Sequence, residues 1–153
     1  MSISEINAVV REIRIDAKPE TVYAYFVDPE KMRRWKGTNV TLDPRPGGVY
    51  AVDINALARA RGEYVELVPY SRIVFTWGWE GEGVAVPPGS TRVEVDLLPD
   101  GDGTLLRLVH RGLPTQHESE QHTHGWGHFL SRLAIAAAGG DPGPDPMAQT
   151  PTS

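Results

Sequence analysis

Three of the five histidines in the sequence lie within seven residues, and histidine can both bind metals and exchange protons near neutral pH. His122, His124 and His128 belong to the segment HTHGWGH, and His117 lies just upstream. The pair His124 and His128, four residues apart on a helix, could bind a metal if a third ligand met it. On a helical wheel, however, the pair falls opposite the apolar stripe, and the HExxH pattern is missing. The sequence therefore predicts a solvent-facing pair, with no metal site and no cofactor.

The apolar stripe of the same helix is centred on Trp126. Phe129, Leu130 and Leu133 fall within about 60° of it when each residue turns about 100°. His122 falls on this side too, close to the expected start of the helix. Its position predicts either a place at the mouth of a pocket or an ordinary surface or capping role.

Trp126 lies between two glycines, Gly125 and Gly127. Each glycine lowers helix stability by about 1 kcal/mol relative to alanine. We expect the compensation to be a close approach of the helix to neighbouring backbone, with the indole inserted between them.

His110 is a second candidate for chemistry. It shares the parity of Leu106 and Leu108 in the strand TLLRLVHRG, so it is predicted to face the apolar side of a sheet. A histidine there is either a hydrogen-bonded core residue or a weak catalytic candidate, acting as a general base or ligand contact. Asp53 and Glu66 are possible partners, but their predicted parity is outward.

Composition excludes several classes of protein. The chain has 153 residues, a net charge of -5 and no cysteine, which rules out disulfides, thiolate catalysis and cysteine-bound zinc. The short run KMRR at 31–34 is too small for a nucleic-acid-binding patch. With no signal-peptide pattern and no apolar run of about 20 residues, the chain is predicted to be cytoplasmic and without a membrane span.

The hydrophobic periodicity predicts an α+β domain over residues 1–138, followed by a Gly/Pro-rich tail at 139–153. A strand at 6–16 precedes two short helices that carry prolines in their first turns. From 39 to 111 apolar residues recur at every second position, which predicts six short strands joined by turns before the last helix. The tail has few apolar side chains and is expected to be ordered only if it docks on something.

The strands place their large side chains on common faces. Tyr50 and Val52 share one face, Phe75, Trp77 and Trp79 share another, and Val65 is grouped with Leu67. A curved sheet of this kind needs a cover for its apolar face, and a gap beneath the last helix would form a pocket. A filled core demands the same residue types, so the two interpretations stay open.

Five segments, in this order, resemble the START-like or SRPBCC superfamily, and more narrowly the bacterial branch related to the activator of Hsp90 ATPase homologue. They are IDAKPETVYAYFVDPEKMRRW, RPGGVYAVD, RGEYVELVPYSRIVFTWGW, DGTLLRLVHRGL and HGWGHFLSRLA, within residues 6 to 137. The resemblance implies a helix-grip fold, in which a seven-stranded curved antiparallel sheet grips a long C-terminal helix. It also implies a cavity for a small molecule and, because relatives often pair, a possible homodimer.

The leading hypothesis is a protein that binds a hydrophobic or amphipathic small molecule, such as a lipid, between sheet and helix. The alternatives are an enzyme resembling polyketide cyclases or hydrolases that uses His110, and an interaction module related to Hsp90 activators. His122 and Trp79 are predicted at the pocket mouth. The predicted pocket lining is Trp35, Tyr50, Val52, Phe75, Trp77, Val95, Leu108, His110, Trp126, Phe129, Leu130 and Leu133.

Overall fold

The computed structural model describes residues 7–148, and the predicted order of elements is confirmed. One strand, two short helices, six strands and one long helix follow each other along the chain. The helices are α1 (Pro19–Val27), α2 (Pro29–Met32) and α3 (Gln116–Ala137), with a 3-10 turn at Pro146–Ala148. The strands are β1 (Val9–Ile15), β2 (Asn39–Leu42), β3 (Val49–Asp53), β4 (Arg59–Val68), β5 (Arg72–Trp77), β6 (Thr91–Asp100) and β7 (Gly103–Arg111).

The seven strands form one antiparallel sheet in the order β1-β7-β6-β5-β4-β3-β2. Strands β2 to β7 follow each other as a meander, and β1 closes the far edge by pairing Val9 with His110 and Ile15 with Thr104. Helices α1 and α2 connect the two edges of the sheet, since they lie between β1 and β2 in the chain. This is the α+β helix-grip fold expected from the sequence.

The hairpin between β6 and β7 shows how local chemistry sets the register. Val93, Val95 and Leu97 are buried, as their alternation with charged residues predicts. The strands turn at Gly101, whose φ of +58° is a left-handed conformation that glycine adopts without strain.

Strand β4 departs from the predicted face. The sequence groups Val65 with Leu67, but Tyr64 supplies the buried side chain, while Val65 is exposed. The reason is an irregularity in the pairing with β5 between Tyr64 and Glu66, which shifts the alternation by one residue. The Tyr64 hydroxyl then reaches across the core and donates to the Phe26 carbonyl at 2.7 Å.

Helix α3 begins earlier than expected. Its N-cap is Thr115, whose Oγ1 accepts from the Glu118 backbone N–H at 3.1 Å. His122 therefore lies in the second turn of the helix, well inside the ordered part and not at a frayed start. The predicted apolar stripe is confirmed, because Trp126, Phe129 and Leu133 are among its buried residues.

The segment 139–148 docks on the domain through backbone carbonyls. Arg132 donates to the carbonyls of Pro142 at 3.3 Å and Gly143 at 3.0 Å, and the Asn55 amide donates to that of Met147 at 3.0 Å. Residues 149–153 of the predicted tail lie outside the described residues.

Asp145 fixes this segment to α3 and changes the expected role of a histidine. Its Oδ1 lies 2.8 Å from Nε2 of His128. The expectation that His128 faces only solvent is therefore wrong, because the docked segment covers that part of the helix. His124 is exposed, as predicted.

Candidate functional site

A cavity of about 640 Å³ opens between the sheet and α3. The strand ends, the first turns of the helix and the docked segment each provide part of its wall. The lining residues are Lys36, Ile54, Asn55, Ala58, Trp77, Trp79, His117, Glu118, Gln121, His122, His124, Gly125, Trp126, Phe129, Pro146 and Met147.

The fourteen predicted site residues divide into two sets. Five line the cavity: Trp77, Trp79, His122, Trp126 and Phe129. The other nine are at most 2% exposed, and they lie in the core outside the set of cavity-lining residues: Trp35, Tyr50, Val52, Phe75, Val95, Leu108, His110, Leu130 and Leu133.

His110 uses both ring nitrogens in contacts with the protein. The Trp126 indole N–H donates to Nδ1 at 3.0 Å, and Nε2 lies 2.8 Å from the Thr91 hydroxyl. Because that hydroxyl donates its own proton to the Trp77 carbonyl at 2.7 Å, the network assigns the proton of His110 to Nε2. Burial, and then the nearby His122 and Lys36, hold the pKa of His110 well below its ordinary value.

The two carboxylates considered as partners of His110 point away from it. Asp53 pairs with Arg61 at 2.8 Å, and Glu66 pairs with Arg72 at 2.6 Å. His110 is thus a neutral, hydrogen-bonded group that holds Trp126 in place at the cavity wall.

His122 and Trp79 are joined by a hydrogen bond at the cavity wall. The Trp79 indole N–H donates to Nε2 of His122 at 3.1 Å, which leaves Nδ1–H to donate to the Glu118 carbonyl at 2.8 Å. Burial lowers the pKa of His122, and the bond to Glu118 opposes this effect. Gly78 lets the following loop pack tightly here, since a Cβ at this position would lie 1.7 Å from the Pro87 carbonyl oxygen.

Lys36 is a cavity residue that the sequence does not predict. It is only 1% exposed, and its Nζ lies 4.2 Å from the ring centroid of Trp77 and 4.4 Å from that of Trp126. Nζ donates a hydrogen bond to the Tyr50 hydroxyl at 2.9 Å. Within residues 7–148 no carboxylate forms an ion pair with it. Burial lowers the pKa of Lys36 well below its ordinary value.

The backbone after α2 explains why Lys36 points inward. The N–H groups of Trp35 and Lys36 both bond to the Met32 carbonyl, so the chain makes a tight turn in which neighbouring side chains enter the core together. Gly37, with φ of +91°, then redirects the chain into β2. Because lysine is rarely buried, the sequence predicts a surface position for Lys36.

The two helical glycines differ from the expected arrangement. A Cβ on Gly125 would meet no heavy atom within 4 Å, whereas a Cβ on Gly127 would lie 2.9 Å from Nη2 of Arg11. The predicted close approach to neighbouring backbone is wrong, because one glycine borders open space at the cavity and the other accommodates a guanidinium group.

A seven-stranded antiparallel sheet that grips a long C-terminal helix, with a cavity between them, defines a helix-grip protein of the START-like class. The chain belongs to the family of Activator of Hsp90 ATPase homolog 1-like proteins, whose model matches residues 16–138. The expected family is thereby confirmed.

Two solved bacterial structures share the fold over most of the chain. An AHSA1-like protein from Rhizobium etli is 46% identical and has a TM-score of 0.73, over 95% of this chain and 91% of that one. A protein from Chromobacterium violaceum is 28% identical and has a TM-score of 0.76, over 87% and 98% of the two chains.

A curated relative from Schizosaccharomyces pombe, described as uncharacterised, is 27% identical over 125 residues. The match covers 75% of this chain but only 34% of the relative, so the chain spans about a third of that protein's length. Separately, the helices within residues 7–148 include none that is long and apolar enough to cross a membrane.

Proposed function

We propose that this protein binds a small apolar or amphipathic molecule in the cavity between the sheet and α3. The observation that carries the proposal is the cavity of about 640 Å³, whose wall contains four large aromatic side chains: Trp77, Trp79, Trp126 and Phe129. Ligand sites in proteins commonly enclose about 300–1,000 Å³ and combine apolar walls with a few polar groups.

The distribution of polarity favours a ligand with an apolar body. Trp77 and Trp126 are each 3% exposed and form the most buried part of the wall together with Lys36. The exposed lining residues on α3, among them Gln121 and His124, are polar and lie on its first turns. An aromatic or aliphatic body would displace water from the indole faces, while polar substituents would remain near the helix start.

A direct test uses 2-naphthalenemethanol as a flat, neutral probe and isothermal titration calorimetry as the measurement. We expect saturable binding with one site per chain. Gly125→Leu should weaken the binding by about tenfold or more, because Gly125 lines the cavity and a Cβ there meets no heavy atom within 4 Å, so that the longer side chain can take up space needed by the probe.

Ser131→Leu is the matched control, because Ser131 lies on the exposed side of α3 and outside the lining set. This variant should bind the probe as the unmodified protein does. Absence of saturable binding to the unmodified protein, or equal affinities in all three proteins, would overturn the proposal.

A further inference from the structure

We propose that Lys36 is a covalent capture site for carbonyl compounds, whose amine forms a reversible imine with an aldehyde or ketone held in the cavity. This inference rests on the proposed function, because the carbonyl compound must first enter the cavity. It names the chemical class of the ligand and assigns a reactive group to the most buried part of the wall.

The position of the amine is the first argument. Lys36 lines the cavity together with Trp77 and Trp126, and its Nζ lies within 4.5 Å of both ring centroids (4.2 Å and 4.4 Å). A carbonyl compound with an aromatic or aliphatic body would pack on these indoles and bring its polar end toward Nζ. Apolar pockets activate lysine for Schiff-base formation in this way.

The environment of Nζ is the second argument. Its neighbours from the surrounding elements are aromatic rings, the Tyr50 hydroxyl at 2.9 Å and, further off, His110. No carboxylate among residues 7–148 pairs with an ammonium group at this place to compensate its lost hydration, so burial lowers its pKa and favours the neutral amine. Burial also raises the pKa of Tyr50 well above its ordinary value, so the phenol keeps its proton.

The chemistry balances without an oxidant or a cofactor. The lone pair of Nζ attacks the carbonyl carbon, the C–N bond forms, and the π electrons of the carbonyl move to its oxygen. A proton passes from nitrogen to oxygen to give the carbinolamine, and the Tyr50 hydroxyl is placed to relay it. The hydroxyl then leaves with the remaining N–H proton as water while the nitrogen lone pair forms the C=N bond, and the addition of water regenerates the carbonyl compound and the free amine.

The chain itself makes the proposal easy to test, since it contains only three lysines: Lys18, Lys31 and Lys36. Lys18 is exposed and Lys31 is half-buried at the surface. The protein is incubated at pH 7 with 2-naphthaldehyde and sodium cyanoborohydride, which converts any imine into a stable secondary amine. Intact mass gives the extent of labelling, and peptide mapping gives its position.

We expect labelling at Lys36 to proceed at least about tenfold faster than at Lys18 or Lys31. Lys36→Met and Lys36→Arg should lose this fast phase, and Lys31→Met should keep it. The arginine variant retains a basic group that cannot form the imine under these conditions, so it separates the amine chemistry from charge.

Binding of 2-naphthalenemethanol, which has no carbonyl group, separates the two proposals. If the alcohol binds but labelling is slow and spread over all lysines, the capture site is overturned and the cavity proposal stands. If the alcohol does not bind and Lys36 is not labelled preferentially, both are overturned. Fast labelling of a lysine that persists in Lys36→Met would also contradict the assignment.

Discussion

Two opposing free energies decide the charge state of Lys36: the loss of hydration on burial, and the attraction of a cation to the indole rings of Trp77 and Trp126. Each cation–π contact contributes about 2 kcal/mol when desolvated, whereas removing an ammonium group from water without a carboxylate partner costs several kcal/mol even after relaxation. The loss of hydration is the larger effect, and the pKa of Lys36 is therefore well below its ordinary value of 10.5. At this residue the protein gives up stability and keeps a buried amine at the cavity wall.

Replacing Lys36 by methionine should therefore stabilise the protein at neutral pH. We expect a gain of at least about 1 kcal/mol in the free energy of unfolding, or about 2–4 °C in Tm. In the unmodified protein the unfolded chain binds a proton that the folded state does not, so stability rises with pH up to about the unfolded value of 10.5. The advantage of Lys36→Met, measured by urea denaturation, should shrink between pH 7 and pH 10, and a constant advantage would contradict the assignment.

At the scale of elements, two hydrogen bonds of His122 join the second turn of α3 to Trp79 and to the Glu118 carbonyl. Trp79 donates to Nε2, and this bond requires the neutral ring. Since the pKa of His122 is lowered in the folded state, the unfolded chain takes up a proton first as the pH falls below about 6.5. Stability should therefore decrease on acidification through this range.

The contribution of His122 can be measured as Tm at pH 7.5 and pH 5.5. The unmodified protein should lose more stability over this interval than His122→Gln, which cannot titrate. His117→Gln is the control, because His117 is exposed on the same helix, and it should behave like the unmodified protein. Equal losses in all three proteins would show that His122 does not carry the pH dependence.

Pro146 and Met147 of the segment 139–148 form a third wall of the cavity, and Asp145 helps to hold them in place. Oδ1 of Asp145 lies 2.8 Å from His128 and accepts from the Met147 backbone N–H at 3.0 Å. Asp145→Ala should release Pro146 and Met147 from the cavity and weaken the binding of 2-naphthalenemethanol about 3- to 10-fold. Asp141→Ala, which removes only a local bond to Gly143, should leave binding unchanged. Limited proteolysis should show faster cleavage in the Asp145 variant alone.

At the scale of the whole molecule, the sequence predicts the fold because its two periodicities are clear. Period 2 identifies the strands, and the stripe through Trp126 and Leu133 identifies the buried side of α3. The start of that helix was also readable, since Thr115 and Glu118 have the spacing of a capping box. The helical wheel predicts which side of α3 is buried, whereas the first residue of the helix is predicted only from its N-cap, Thr115.

The site was less predictable, and for physical reasons. Lys36 is buried by a tight turn that has no periodic signature, and a lysine is normally a surface residue. The docking of 139–148 depends on backbone carbonyls that bond to Arg132 and Asn55, which composition does not reveal. Aromatic residues in a core and in a pocket wall are of the same types, so only geometry separates Phe75 from Trp77.

The central claim, that a small molecule occupies the cavity, is tested most directly by the four indole N–H signals in ¹H–¹⁵N NMR spectra during titration with 2-naphthalenemethanol. Trp77, Trp79 and Trp126 line the cavity, whereas the Trp35 N–H donates to the Tyr25 carbonyl at 3.0 Å in the core. We predict saturable shifts of the three lining signals with little change at Trp35. No saturable shift of the lining signals, or equal shifts of all four, would contradict the account.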